Sequence, residues 1–520
     1  MSDAATRQRF SGFMFPMVRR NMVRRNARPG ESPRPLVMRA TRLVLILLLT
    51  VLSTAVAGSA EPLFIPIDLG TLGGNASANA VNDSGRVVGV VGGAAFRAFS
   101  WTPADGMIDL GNHGCGGDSE ATAVNASGQI VGSVTACDAS EHAFSWTPTG
   151  GMIDPGTLGG RAAAPFAVND SGQVVGWSNP TGDFRFHAFS WTPAGGMVDL
   201  GTLGGSDSFA LAVNAGGQVV GGVSGTRNRA FSWTPAEGMI DLGTLGGTTA
   251  DFSIAVAVND SGEVVGSSSL NRAQHAISWT RADGMIDLGT LGGPHSEATA
   301  VNANGQIAGS SNVDDDQFKT HAFSWTPAGG MIDLGVLGDT FDSSEAVAVN
   351  DRGQVVGVSS RAGFWRAFSW TPAGRMVEPP ALGGTGTTAA VAVNASGQVV
   401  GSSFTTDGNL RPVLWQPIAN LGCNATLAGC NLRGDNLAGA YLNGANLSGS
   451  NLRGANLTRS TLTGANLAGA NMQGTNLTNA NLAGANLAGA NVRDVIWSHT
   501  ICPDGTNSDA NGGTCKGHLR

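Results

Sequence analysis

Short apolar runs of four to six residues alternate with Gly-, Asn- and Ser-rich breaks along most of the chain, and no stretch carries helical spacing. Each run reads as a strand. The run ending in Val-Asn is followed by Asp-Ser-Gly or Ala-Ser-Gly and then by Val-Val-Gly. Turn residues that tolerate left-handed backbone thus sit between two strands and make a hairpin. A second hairpin turns at Pro-Ala-Gly-Gly and its variants, with Ser-Trp-Thr before it and Met-Ile-Asp-Leu-Gly after it. With a four-residue loop there, Trp101 faces Ile108, Ser100 faces Asp109 and Phe99 faces Leu110. One face then carries Phe, Trp, Ile and Leu, and the other Ala, Ser, Asp and Met. Sheets with one bulky and one small face stack on copies of themselves, as propeller blades do.

This four-strand unit recurs with Trp at 101, 146, 191, 233, 279, 325, 370 and 415, and with the Asn of Val-Asn at 82, 125, 169, 214, 259, 302, 350 and 394. Intervals of 42 to 46 residues match a propeller blade, and eight copies predict an eight-bladed, all-β ring. Acidic residues follow the Met-Ile or Met-Val step at Asp109, Asp154, Asp199, Asp241, Asp287, Asp333 and Glu378. The eighth such residue stands ahead of the first repeat, at Asp68, so an N-terminal strand is expected to complete the last blade and hide its edge. The alternative is an open solenoid of stacked hairpins. The repeats resemble the HAF family of extracellular repeats on His142-Ala143-Phe144, His187-Ala188-Phe189 and His321-Ala322-Phe323, over residues 64 to about 417, with Ile277 and three Arg-for-His departures. That resemblance implies secretion and a repeat scaffold, and no established activity.

From Leu427 an apolar residue recurs every five positions to Leu467, then at Met472, Leu477, Leu482, Leu487 and Val492, with a small residue two positions earlier and Asn between, as at Ala445, Asn446 and Leu447. This segment, about 423–497, is similar to the pentapeptide-repeat family. The resemblance implies a right-handed, four-sided β-helix with Leu and the small residue inside. Fourteen repeats give about three and a half coils, with Asn placed to bridge neighbouring turns. Some pentapeptide proteins imitate DNA with an acidic surface. Here Arg433, Arg453, Arg459 and Arg493 stand against Asp435 and Asp494, which argues against mimicry. Trp497 is expected to plug the open end of the coil, and residues 498–520 to form a Cys-bounded cap.

Charge and composition narrow the function. Only 13% of residues are charged and Gly numbers 77 of 520, which fits turn-dense repeats better than an ordinary α/β enzyme. Residues 1–42 hold ten of the 30 basic residues and two of the 38 acidic ones, leaving a strongly acidic remainder. Nucleic acid and sulfated or phosphorylated glycans are therefore disfavoured partners. Arg39 and Arg42, the apolar run Leu43–Leu52 and the small residues Ala55–Ala60 make the three-part pattern of a Sec-type secretory signal within a leader over 1–60. Met38 is an alternative start, and an uncleaved anchor an alternative to cleavage. Six cysteines in an exported chain read as three local disulfides, Cys115–Cys137, Cys423–Cys430 and Cys502–Cys515.

Candidate chemistry is sparse. Four positions before each repeat Trp stands a cation, at Arg97, His142, His187, Arg229, His275, His321, Arg366 and Arg411. These eight either ring an anionic ligand at the channel mouth or bond a carbonyl or carboxylate of their own or the neighbouring blade. Asn507, Asp509 and Asn511 have the spacing of a calcium loop, but His518 stands where the bidentate Glu belongs, so a polar cap is the competing reading. The repeated Asn reads as a turn-former. No nucleophile elbow, zinc motif or phosphate loop is present, and carboxylate pairs for glycoside hydrolysis depend on a spatial separation that sequence does not carry. The expectation is a secreted or cell-surface, non-enzymatic scaffold with a ring at 61–422. It would bind an extracellular protein or glycan, without cofactor apart from calcium, without nucleic acid and without a stable membrane span after signal cleavage. The competing reading is a carbohydrate-active enzyme or lectin using the central face of the ring.

Overall fold

The computed structural model describes residues 64–519 apart from 113–115, 183, 226, 249–250, 315–318, 339–341, 384–385 and 424–425. The expected leader and signal lie outside the described residues, as do Cys115 and most of the acidic run Asp314–Asp316. Cys137 is itself in a disulfide. No helix among the described residues is long and apolar enough to cross a membrane.

Eight antiparallel sheets form the ring, seven of four strands and one of three. In the first blade β2 (Ala76–Val81), β3 (Val87–Val91), β4 (Arg97–Thr102) and β5 (Gly106–Asp109) lie side by side in chain order. The eighth blade takes Thr388–Val393, Val399–Phe404 and Leu410–Pro417 and adds β1 (Phe64–Asp68) from the other end of the chain, with Ile67 opposite Leu414. The ring is thereby closed, as the position of Asp68 predicts, and the open solenoid is excluded. Across the closure Val400 and Leu414 pack in one cluster with Val87, Val91, Phe99 and Trp101.

Blades stack large against small, but the second hairpin differs from its expected register. Trp101 lies opposite Met107, Ser100 opposite Ile108 and Phe99 opposite Asp109. The loop has three residues, because Gly106 takes a left-handed φ of 69° and enters the ladder opposite Thr102. Phe, Trp and Met therefore share the bulky face. Ala98, Ile108 and Leu110 sit on the small one, against Ile130, Val134 and Phe144 of the second blade. In the seventh blade Arg375 replaces the turn glycine and Pro379-Pro380 follows, and the fourth strand shrinks to a single bridge between Ser369 and Val377.

Each first strand carries a bulge, as between Ala78 and Ala80 or Ala298 and Ala300. This close approach explains the Gly of every Val-Val-Gly. A Cβ on Gly89 would come within 2.1 Å of the Ser77 carbonyl oxygen, and one on Gly401 within 1.8 Å of that of Ala389.

In the C-terminal segment, parallel bridges join residues twenty apart, from Asn431–Asn451 through Asn481–Ile501, so four pentapeptides make each rung of a β-helix. Leu432 through Leu482 are fully buried inside it. Asn451 donates to Asn431 at 2.9 Å and Asn491 to Asn471 at 3.0 Å, the expected bridging of turns. Trp497 is not an end plug. It occupies the next buried core position in register, and Cys502 the one after, so the coil runs on until the Cys502–Cys515 disulfide ties down its cap. The Cys423–Cys430 disulfide stands at its start.

The coil also seals the ring. Asp68 N–H donates to the Gly439 carbonyl at 3.1 Å and Tyr441 N–H to that of Pro66 at 2.8 Å, so the outer edge of β1 is paired. Ile65, Ile67 and Leu69 merge with the leucine core of the coil. The last blade's exposed edge is thus removed by the domain that follows it.

Candidate functional site

The first strand of each blade is innermost, and its end carries the Asn turn. Each of these eight Asn does two things. Its Oδ1 accepts from its own turn, as from Gln173 N–H to Asn169 at 2.9 Å. Its Nδ2 donates to the backbone carbonyl of the next Asn around the ring: Asn82 to Asn125, and so on to Asn350 to Asn394, at 2.9–3.1 Å. Asn394 closes the circle onto Asn82 at 3.0 Å. The result is a continuous belt of eight interblade hydrogen bonds, buried but for their outer rims. A turn-forming role alone is therefore too little. The signal available in the sequence was that Asn never varies here, although Asp or Gly would serve a turn as well.

The residue after the Asn alternates Asp and Ala around the mouth: Asp83, Ala126, Asp170, Ala215, Asp260, Ala303, Asp351 and Ala395. Each Asp accepts from the N–H of the preceding blade's Ala at 2.8–2.9 Å. Alternation keeps the four carboxylates on every second blade, which spaces their charges. Asp83, Asp260 and Asp351 line a cavity of about 300 Å³ at this mouth together with Asn302 and Asn350.

The eight cations lie at the opposite end, at the start of the third strands, and not on the inner strands. Each of seven is paired with the acid that follows its own Met-Ile or Met-Val step. Arg97 reaches Asp109 at 3.2 Å, His142 Asp154 at 2.7 Å, His187 Asp199 at 2.8 Å and Arg229 Asp241 at 3.7 Å. His275 reaches Asp287 and His321 Asp333, both at 2.9 Å, and Arg366 Glu378 at 3.6 Å. Arg411 has no such partner among the described residues, and its Nε is buried without a hydrogen bond. Seven of the eight are thus engaged by carboxylates of their own blades, because the register brings the third-strand basic residue beside the fourth-strand acid.

The calcium-loop residues are likewise engaged internally. Asn507 caps a short 3-10 turn by accepting from Asp509 N–H at 2.9 Å, Asp509 accepts from His499 N–H at 2.9 Å, and Asn511 donates to Thr506 at 2.6 Å. His518 bonds Asp504, whose carboxyl is held down to about 2 by hydrogen bonds from Thr506 and by His518. Asn507 Oδ1 and Asp509 Oδ1 thus accept from N–H groups of the cap itself. No group of three or more potential metal-ligating His, Cys, Asp or Glu occurs among the described residues.

Two features escaped the sequence reading. Glu297 and Glu345 hold equivalent positions on the inner strands Ser296–Val301 and Ser344–Val349 of neighbouring blades. Burial, with the negative charge of Glu297 added, pushes the Glu345 carboxyl up to about 7. Burial raises Glu297 too, against hydrogen bonds from Gln274 and Ser310. Separately, Phe364, Phe404 and Phe96 of three consecutive blades stand 53%, 37% and 55% exposed at the ends of the loops that join second and third strands. Glu297 and Glu345 each stand five residues before the repeated Asn, at 302 and 350, so the repeat phase carried their pairing, whereas the three Phe lie at the ends of loops of varying length.

The family comparison supports the pentapeptide-repeat reading of the coil. Residues 424–459 and 460–496 match the pentapeptide-repeat family. No curated protein matches the chain. A pentapeptide repeat protein (Rfr23) from the cyanobacterium Cyanothece 51142 is 40% identical over 14% of this chain and 46% of its own, with a TM-score of 0.12. This chain thus spans less than half of that structure's length. Porphyromonas gingivalis dipeptidyl peptidase 4 is 11% identical over 68% of this chain and 58% of its own, with a TM-score of 0.46. TolB from Acinetobacter baumannii is 12% identical over 57% and 78%, with a TM-score of 0.29. The class is a closed eight-bladed propeller carrying a pentapeptide-repeat coil.

Proposed function

We propose that this protein is an exported, non-enzymatic repeat scaffold that binds a protein or glycan at the cell surface or outside it. The supporting observation is the distribution of its polar chemistry. The repeated Asn and seven of the eight cations serve the ring itself, whereas the apolar Phe96, Phe364 and Phe404 are turned to solvent on one rim. Exposed aromatics flanked by rigid blades suit contact with a partner better than catalysis. The HAF-like repeats, the signal-like leader and the disulfides support export. The test is retention of the intact mature protein on glycan arrays and cell-wall fractions beside the F96S/F364S/F404S variant. Retention without turnover that falls at least tenfold in the variant is expected. Turnover of a retained glycan would overturn the reading.

One observation favours the competing reading of a carbohydrate-active enzyme on the central face. Glu297 and Glu345 are neighbouring carboxyls of which one is held near neutral pH, the pattern that divides acid from base in glycoside hydrolysis. Loss of glycan turnover in E345Q would establish it.

A further inference from the structure

The arginines of the coil are arranged unlike those of the ring. Arg433, Arg453 and Arg493 fall at one position of successive rungs, with Gln473 completing the column. The parallel bridges Asn431–Asn451, Asn451–Asn471 and Asn471–Asn491 fix that alignment, two residues before each member of the column. Neighbouring rungs lie about 4.8 Å apart, so the first two guanidinium stems are one rung apart and the last two are two rungs apart.

All three arginines are exposed, and none makes a side-chain hydrogen bond or ion pair among the described residues. In the ring, by contrast, Arg97, Arg229, Arg281, Arg361 and Arg366 each meet a carboxylate. Stacking like charges one rung apart is unfavourable by itself, and acidic neighbours could have relieved it. The coil has two acids. Asp494 accepts from Gln473 at 3.4 Å, and Asp435 is raised by burial. Neither is within ion-pair distance of the column. The column also stands on a stiff support, because the adjacent Asn side chains are bonded to one another from rung to rung.

We propose that this face of the coil, repeating Asn-Leu-Arg-Gly at 431–434 and 451–454 and ending at Arg493, binds a linear polyuronate glycan lying along the coil axis. A guanidinium is matched to a carboxylate by two parallel N–H donors. An extended chain of uronic acids offers one carboxylate per sugar along its length, a charge spread thinly enough to meet a narrow column of guanidinium groups. A single file of three cations is too narrow for a membrane surface, which calls for a broad basic cluster. The acidic remainder of the protein repels the denser charge of nucleic acid. The proposal names a ligand class within the scaffold reading and rests on it.

The experiment is titration of the intact protein with polygalacturonate, its methyl-esterified form and duplex DNA at two salt concentrations. Wild type is expected to bind polygalacturonate, with affinity falling as salt rises, and to bind neither the ester nor DNA comparably. R433Q/R453Q/R493Q should lose at least tenfold in affinity with an unchanged melting temperature. Lysine at the three positions should give an intermediate loss. A control that removes the same charge from the ring, R161Q/R272Q/R281Q, should bind as wild type does. Equal loss in the control, equal binding of DNA or of the ester, or no binding of polygalacturonate by wild type would each overturn the proposal. Retention of other cell-surface glycans in that last case would leave the scaffold reading standing, and retention of none would remove both.

Discussion

Asn169→Asp is expected to destabilise the ring by at least about 2 kcal/mol, although Asp forms such turns as readily as Asn. The carboxylate keeps the acceptor for Gln173 N–H but loses the donor that holds the Asn214 carbonyl at 2.9 Å, and sets a negative oxygen against it. Asn169→Ala, which also leaves Gln173 N–H without its acceptor, is expected to cost about as much or more. Denaturant titration of both variants checks this. A near-neutral Asp variant would show that the residue is only a turn-former and that the belt contributes little.

The second large effect is a pH dependence opposite to that of most carboxylates. Glu345 titrates at about 7 in the folded chain, against an ordinary 4.5. A raised carboxyl favours the folded state while protonated. Its contribution is therefore fully present below about pH 4.5 and is lost as pH rises through 7. Glu345→Gln cannot ionise and keeps the volume. It should match wild type at pH 4.5 and exceed it at pH 8 by on the order of 2 kcal/mol, a figure reduced from the full shift because the group is only partly buried. Thermal unfolding at both pH values reads the difference. A variant no more stable than wild type at pH 8 would remove Glu345 from the raised group and, with it, the case for an acid–base pair on the central face.

What the sequence carried was periodicity. Eight Trp and eight Asn positions sufficed for the number of blades, the displaced acid at Asp68 for the closure, and the five-residue step at Leu427–Val492 for the coil. Local register was less accessible, because one left-handed glycine at 106 shortens the loop and exchanges which of Met107 and Ile108 joins Trp101. Ion pairing of the cations followed from that register. Contacts between segments that share no repeat left no trace in spacing, as with Gly439 and Tyr441 on the edge of β1. The basic ring looked like a site because equivalent residues recur, whereas recurrence here mostly marks what every blade needs in order to hold its neighbour.

The functional reading depends on ring and coil forming one rigid platform. Hydrogen exchange on the intact mature protein tests this most directly, at the amides of Asp68 and Tyr441, which join β1 to the coil, and of Leu414 within the last blade. The account predicts slow exchange at all three, lost together only in global unfolding. Fast exchange at Asp68 and Tyr441 beside a protected Leu414 would contradict it, leaving the ring without its seal and the coil as a separate appendage.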